Sequence, residues 1–142
     1  MRTGTTCRAF VGLALVALVG GCSDGAPALQ SLRRGVWGSD QARLAITDST
    51  AVLQILGGSN CYGARADAGQ PVEDTGFTVA ATYTQYTGAY PGYVQQPARM
   101  SASLADNRLS VSIIAAGSGQ VIAGPFDLTF GVNPQWNQCL YP

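Results

Sequence analysis

Two hydrophobic patterns divide this chain. An apolar run of about eleven residues, Ala9 to Val19, follows a basic start at Arg2 and Arg8 and ends in Val19-Gly20-Gly21-Cys22. From Gly35 onward the apolar positions recur every second residue, the period of a strand with one buried face rather than of a helix.

The alternation is clearest in two hairpins. Ala42, Leu44 and Ile46 share one face, and after Asp48-Ser49 the series resumes as Ala51, Leu53 and Ile55. A turn at those two residues sets Ile46 against Ala51, Leu44 against Leu53 and Ala42 against Ile55, so one face is apolar throughout. Met100, Ala102 and Leu104 repeat the pattern, and Asp106-Asn107 suits a two-residue turn with positive φ. Leu109, Val111 and Ile113 then fall opposite Leu104, Ala102 and Met100. Phe77, Val79, Ala81 and Tyr83 form another alternating run, and Phe126, Leu128 and Phe130 a further one. The latter follows Gly124-Pro125, where a bulge or a strand start is expected because proline cannot donate to a ladder. Shorter candidates lie at Pro71 to Glu73, Gln120 to Ala123 and Asn137 to Leu140.

These signals predict an all-β domain with about seven or eight strands and no long helix. Short strands joined by hairpins, each apolar on one face, cover that face by closing on themselves or by stacking two sheets. The expected architecture is a small antiparallel meander closing into a barrel; a disulfide-pinned β-sandwich is the alternative.

The amino-terminal run has a different meaning. A membrane-spanning helix needs about twenty apolar residues, and this run is too short. A basic start, a short apolar stretch and small residues at Gly20 and Gly21 before Cys22 match a bacterial lipoprotein signal, cleaved so that Cys22 carries lipid. The chain therefore divides into a signal over 1–21, a lipidated cysteine and tether over 22–34, and a β domain over 35–142. A multiply acylated cysteine holds firmly to a bilayer, whereas one chain binds reversibly. Aspartate directly after such a cysteine often marks inner-membrane retention; here Ser23 follows, so the expected address is the outer membrane, facing the periplasm or the cell surface.

Composition narrows the function classes. Eight basic residues balance eight acidic ones over the whole chain, and without Arg2 and Arg8 the balance becomes −2. That gives no basic stripe for nucleic acid. The chain contains no lysine and no histidine, and histidine is the commonest general base and metal ligand. Glu73 and Asp74 are adjacent, so their side chains diverge on a strand. No phosphate-binding, calcium or zinc spacing is present, and no Gly-x-Ser-x-Gly. No cofactor, no metal and no enzymatic activity are expected.

Of the four cysteines, Cys7 leaves with the signal and Cys22 is committed to lipid. Cys61 and Cys139 remain, and an oxidising compartment should join them.

The ordered set Trp37-Gly38-Ser39-Asp40, Leu44 with Ile46-Thr47, Cys61, Gly76-Phe77, Thr82-Tyr83, Pro97-Ala98-Arg99, Phe126-Asp127-Leu128-Thr129 and Cys139-Leu140 resembles a group of small bacterial proteins, secreted or lipid-anchored, with paired cysteines. The resemblance spans Gly35 to Leu140 and implies the disulfide and the all-β fold, but no chemistry. Gly57 to Asn60 departs from that pattern as an insertion. More loosely, Gly35-Val36-Trp37 is similar to the opening of lipocalin-type barrels, in which the tryptophan plugs one end.

One stretch suggests recognition. Tyr83, Tyr86, Tyr90 and Tyr93 are interleaved with small and polar residues. Tyrosine offers a large apolar face and a hydroxyl at low entropic cost. These four are the candidate ligand-binding residues, against the alternative of a long hairpin loop packing its own aromatics with Tyr83 in the core. The expected function is a lipid-anchored binding module for a small or extended ligand, with a sugar, a peptide or peptidoglycan all fitting and a small molecule, glycan or envelope protein as partner. The alternative is a protein-facing assembly factor, or an inhibitor that inserts Ser23 to Arg34 into an exported protease.

Overall fold

The computed structural model describes residues 31–58, 60–69, 75–87 and 92–139. Cys22, the signal, the tether as far as Gln30, Glu73, Asp74, Tyr90, Leu140 and Tyr141 lie outside the described residues, as does the candidate strand at Pro71 to Glu73.

The strands are β1 (Gly35–Gly38), β2 (Ala42–Ile46), β3 (Ala51–Gly58), β4 (Cys61–Ala68), β5 (Gly76–Tyr86), β6 (Tyr93–Ala105), β7 (Arg108–Ala115), β8 (Val121–Phe130) and β9 (Asn137–Gln138). Each of β1 to β8 pairs antiparallel with its sequence neighbours, and β8 returns to β1 through Trp37 opposite Phe130. The result is a closed eight-stranded up-and-down barrel, with β9 added parallel to β4. Closure leaves no long unpaired edge.

Both hairpin registers expected from the alternation are present: Ile46 pairs with Ala51 and Leu44 with Leu53, while Leu104 pairs with Leu109 and Met100 with Ile113. Asp106 and Asn107 have φ of 49° and 61°, the left-handed pair that a two-residue turn matched to strand twist requires. At the other turn the Thr47 hydroxyl accepts the backbone N–H groups of Ser49 and Thr50. Gly124-Pro125 is a bulge within one long β8, so the candidate strand at Gln120 to Ala123 belongs to β8.

Two strands differ from the sequence reading. β1 and β4, which the alternation did not mark, are full members of the barrel, β3 running to Gly58 and β4 starting at Cys61. Of the tyrosine-rich stretch, Tyr83 to Tyr86 belong to β5 and Tyr93 opens β6.

Inward side chains fill the barrel. Leu44, Leu53, Met100, Leu109, Val111, Ile113 and Leu128 are fully buried. They interlock with small neighbours: Ala64 and Ala66 of β4 lie opposite Ile55 and Leu53 of β3, and Ala66 lies opposite Tyr83 of β5. Alternating large and small residues is how a barrel of this size fits its taper. At the end where the chain enters, Leu32 packs against the core. Buried Trp37 donates its indole N–H to Arg33 O at 2.9 Å and meets the Phe130 ring edge-on at 5.2 Å.

After β8 the chain crosses the outer wall as a strap. Val132 and Pro134 lie over Gly38, on the outward face of β1, and Asn133 Oδ1 accepts Arg43 Nε at 2.7 Å. The strap then joins β4, where Cys139 forms the expected disulfide with Cys61, 78 positions away.

Candidate functional site

The site follows from strand parity. On β5, Phe77, Val79, Ala81 and Tyr83 point into the barrel, so Thr84 and Tyr86 belong to its outer side. On β4, Ala64, Ala66 and Ala68 point inward, which leaves Arg65 and Asp67 outside. Tyr93 and Gln95 of β6 pair with Tyr86 and Thr84 and share their face. Gln138 comes from a distant part of the sequence, carried in by the strap. These seven side chains line a depression of about 320 Å³ on the outer wall of β4, β5 and β6.

A bulge shapes one margin. Ile55 pairs with Ala64 while Leu56 pairs with Tyr62, so Gly63 is the extra residue and the inward–outward alternation reverses there. Tyr62 consequently turns toward Tyr86, and the two rings meet edge to face at 5.8 Å. That contact holds one edge of the Tyr86 ring while the groove keeps the rest accessible.

The polar groups are organised. Arg65 and Asp67 are two positions apart on one strand, so both side chains rise from the same face. Arg65 Nε donates to both carboxylate oxygens at 2.9 Å and its Nη2 to Oδ1 at 2.6 Å. The hydrogen bond to Asp67 holds the Arg65 pKa above its ordinary value despite some burial. Gln95 Nε2 donates to the buried Thr84 hydroxyl at 3.1 Å, which fixes the direction of that amide. Burial, with Tyr62 beside it, raises the Tyr86 pKa, so its hydroxyl stays protonated at neutral pH.

The four tyrosine candidates thus separate. Tyr86 and Tyr93 face each other across the last register position of their hairpin and both line the groove. Tyr83 points into the core at 6% exposure and offers a ligand nothing. Tyr90 lies outside the described residues. Tyr62, Arg65, Asp67, Thr84, Gln95 and Gln138 escaped the sequence reading. The signal for Arg65 and Asp67 was an alternation with Ala64, Ala66 and Ala68, visible only once β4 is recognised as a strand, whereas the bulge at Gly63 hid Tyr62 from it.

Chemically the arrangement offers aromatic rings beside directed amides and an ion pair whose charges cancel. Such a set is suited to ring stacking and hydrogen bonding. Among the described residues no three His, Cys, Asp or Glu side chains converge as metal ligands. A second depression, between Gly76 of β5 and Ser101 and Ser103 of β6, lies toward the opposite end, and its polar groups are the hydroxyls of threonines and serines. Compared with family models, curated proteins and solved structures, the chain has no match.

Proposed function

We propose that this chain is a lipid-anchored binding module of the bacterial envelope, acting by holding a ligand in the outer-wall groove. The observation that carries the reading is the pairing of Tyr86 and Tyr93 beside Gln95, Gln138 and the Arg65–Asp67 pair. Aromatic faces flanked by fixed hydrogen-bonding groups are the usual make-up of a recognition surface.

The direction of the chain supports presentation away from a membrane. The segment after Cys22 enters beside Trp37, whereas Tyr86, Tyr93 and Gln138 sit toward the opposite end of the barrel. Among the described residues Leu32 makes the first contact with the core, and nine residues, Ser23 to Ser31, separate it from Cys22. Fully extended, that length reaches about 30 Å, enough to lift the domain off the headgroups. Arrival at the outer membrane rests on Ser23 following Cys22.

The rival role is an inhibitor inserting Ser23 to Arg34 into a protease. It requires a free segment, yet Leu32 packs on the core and Arg33 O accepts the Trp37 indole. The binding-module reading is therefore preferred. Its test is extraction of the natively expressed protein from membranes, followed by mass spectrometry of co-purifying proteins and small molecules. Retention of a small molecule or glycan, lost on Tyr86→Ala with Tyr93→Ala at unchanged melting temperature, supports the module. A stoichiometric protein partner retained by that double variant but lost on deleting Ala26 to Leu32 overturns it in favour of the rival. Cys22→Ala should move the protein out of the membrane fraction.

A further inference from the structure

We infer that the groove between β4, β5 and β6 takes a neutral saccharide, with Tyr86 and Tyr93 as its stacking faces and Gln95, Gln138 and Arg65 as its hydroxyl-reading groups. The inference rests on the binding-module reading and names the ligand class of that site.

Charge excludes the first alternatives. Arg65 is paired with Asp67 at hydrogen-bonding distance, and the other lining residues are a threonine, two tyrosines and two glutamines. A phosphate or carboxylate ligand would meet no unpaired cation, and a cationic ligand would have to displace Arg65 from Asp67. The ligand that fits is polar without net charge.

Geometry and polarity then favour sugars. The faces of aromatic rings carry negative potential, which attracts the weakly positive C–H face of a pyranose. Around those rings stand planar groups with fixed forks of donors and acceptors. Arg65 uses Nε and Nη2 on Asp67 and keeps Nη1 as a donor. Gln95 is already oriented by Thr84, so its carbonyl end has a set direction. An amide or guanidinium edge carries enough donors and acceptors to bridge two neighbouring hydroxyls. The groove is open rather than enclosed, as suits a chain longer than one residue.

The main competitor is an extended peptide. Peptides that bind sheets usually add a strand to a free edge, and backbone hydrogen bonds supply the affinity. On the groove face the backbone of β5 is committed on both sides, to β4 from Ala81 to Gln85 and to β6 from Gly76 to Tyr86. The nearby edge of β6 is uncovered by β7 only ahead of Ala98, and it ends at Pro97, which has no N–H to give. That ladder is too short to carry a peptide, whereas the groove presents side chains alone.

The experiment is a titration of the ¹⁵N-labelled full chain, exported, disulfide-intact and held in detergent, with cellotetraose and with tetra-N-acetylchitotetraose. Saturable shifts of the Gln95 and Gln138 side-chain amides and of Arg65 Nε are expected with at least one of them. Tyr93→Ala, an exposed position, should weaken that binding by about tenfold, the loss of one well-placed contact. Ser101→Ala, in the other depression, should leave it unchanged. Absence of any shift with both sugars overturns the saccharide inference. A neutral extended peptide then separates the two readings: if it shifts the backbone amides of Tyr93 and Gln95, the module stands and the sugar falls. If it shifts nothing, both fall.

Discussion

Cys139 donates its backbone N–H to Tyr62 O at 3.1 Å, so the disulfide partner of Cys61 is also hydrogen-bonded to the residue next to Cys61. This double attachment fixes β9 along β4 and sets Gln138 at the groove. In the chain-entropy view a cross-link over 78 positions stabilises the fold by about 4 to 5 kcal/mol. Reduction, or Cys61→Ala with Cys139→Ala, should therefore lower the melting temperature by roughly 15 °C or more. It should also weaken ligand binding, because Gln138 loses its anchor. Melting curves with and without reductant check the first expectation; binding measured well below the reduced melting temperature checks the second. Loss of stability with binding intact would show that Gln138 does not touch the ligand.

The strap crosses β1 at a position that tolerates no side chain. A Cβ on Gly38 would lie 2.3 Å from Val132 O and 2.7 Å from Pro134 Cδ. The clash is largely with backbone, so Gly38→Ala must lift the strap and pull Asn133 from Arg43. We expect a cost of about 1 to 3 kcal/mol, the range for overpacking a close contact. Urea denaturation of the oxidised protein measures it, and Asn133→Ala should cost far less because that hydrogen bond is exposed.

Leu44 and Leu53 are register partners, both with no exposed surface. Truncation of either to alanine should cost about 2 to 5 kcal/mol through lost burial and the cavity left behind. Since they touch one another, the double variant should cost less than the two single losses combined. Additive losses in a double-mutant cycle would mean that the two side chains fill independent spaces, against the pairing described above.

The same pair shows what could be read from the sequence. Leu44 and Leu53 sit in strands whose apolar positions are large and whose partners follow a short turn, so period and turn chemistry agreed on one register. β4 was illegible for the opposite reason. Its inward residues are Ala64, Ala66 and Ala68, small because Leu53, Ile55 and Tyr83 crowd the space opposite, and alanine, depleted in strands, marks a buried face weakly even where it alternates with Arg65 and Asp67. Pro97 concealed the start of β6. Its missing donor faces the side of β7, and the ladder needs only its carbonyl there, for Ala116 N. Tyr86 and Tyr93 were legible as candidates. Gln138 was not, because a strap and a disulfide deliver it, and no local pattern encodes where a distant segment lands.

Tyr83 gives the barrel an alkaline limit. Burial disfavours its phenolate, so its folded-state pKa lies above the ordinary phenol value of 10.0, and burial shifts Tyr86 in the same direction. Below about pH 10 these phenols are protonated in both folded and unfolded chains, and their contribution is fully present. As pH rises further the unfolded chain releases these protons first, which favours unfolding, so stability falls through the folded-state pKa. The chain contains no lysine, so this limb reports its tyrosines without interference from ammonium groups. The melting temperature should hold level up to about pH 9.5 and then decline. Tyr83→Phe should flatten the decline, because Tyr83 is 6% exposed and cannot ionise without opening the core. An unchanged slope in that variant would move the alkaline limit to Tyr86, whose replacement by phenylalanine would then flatten it instead.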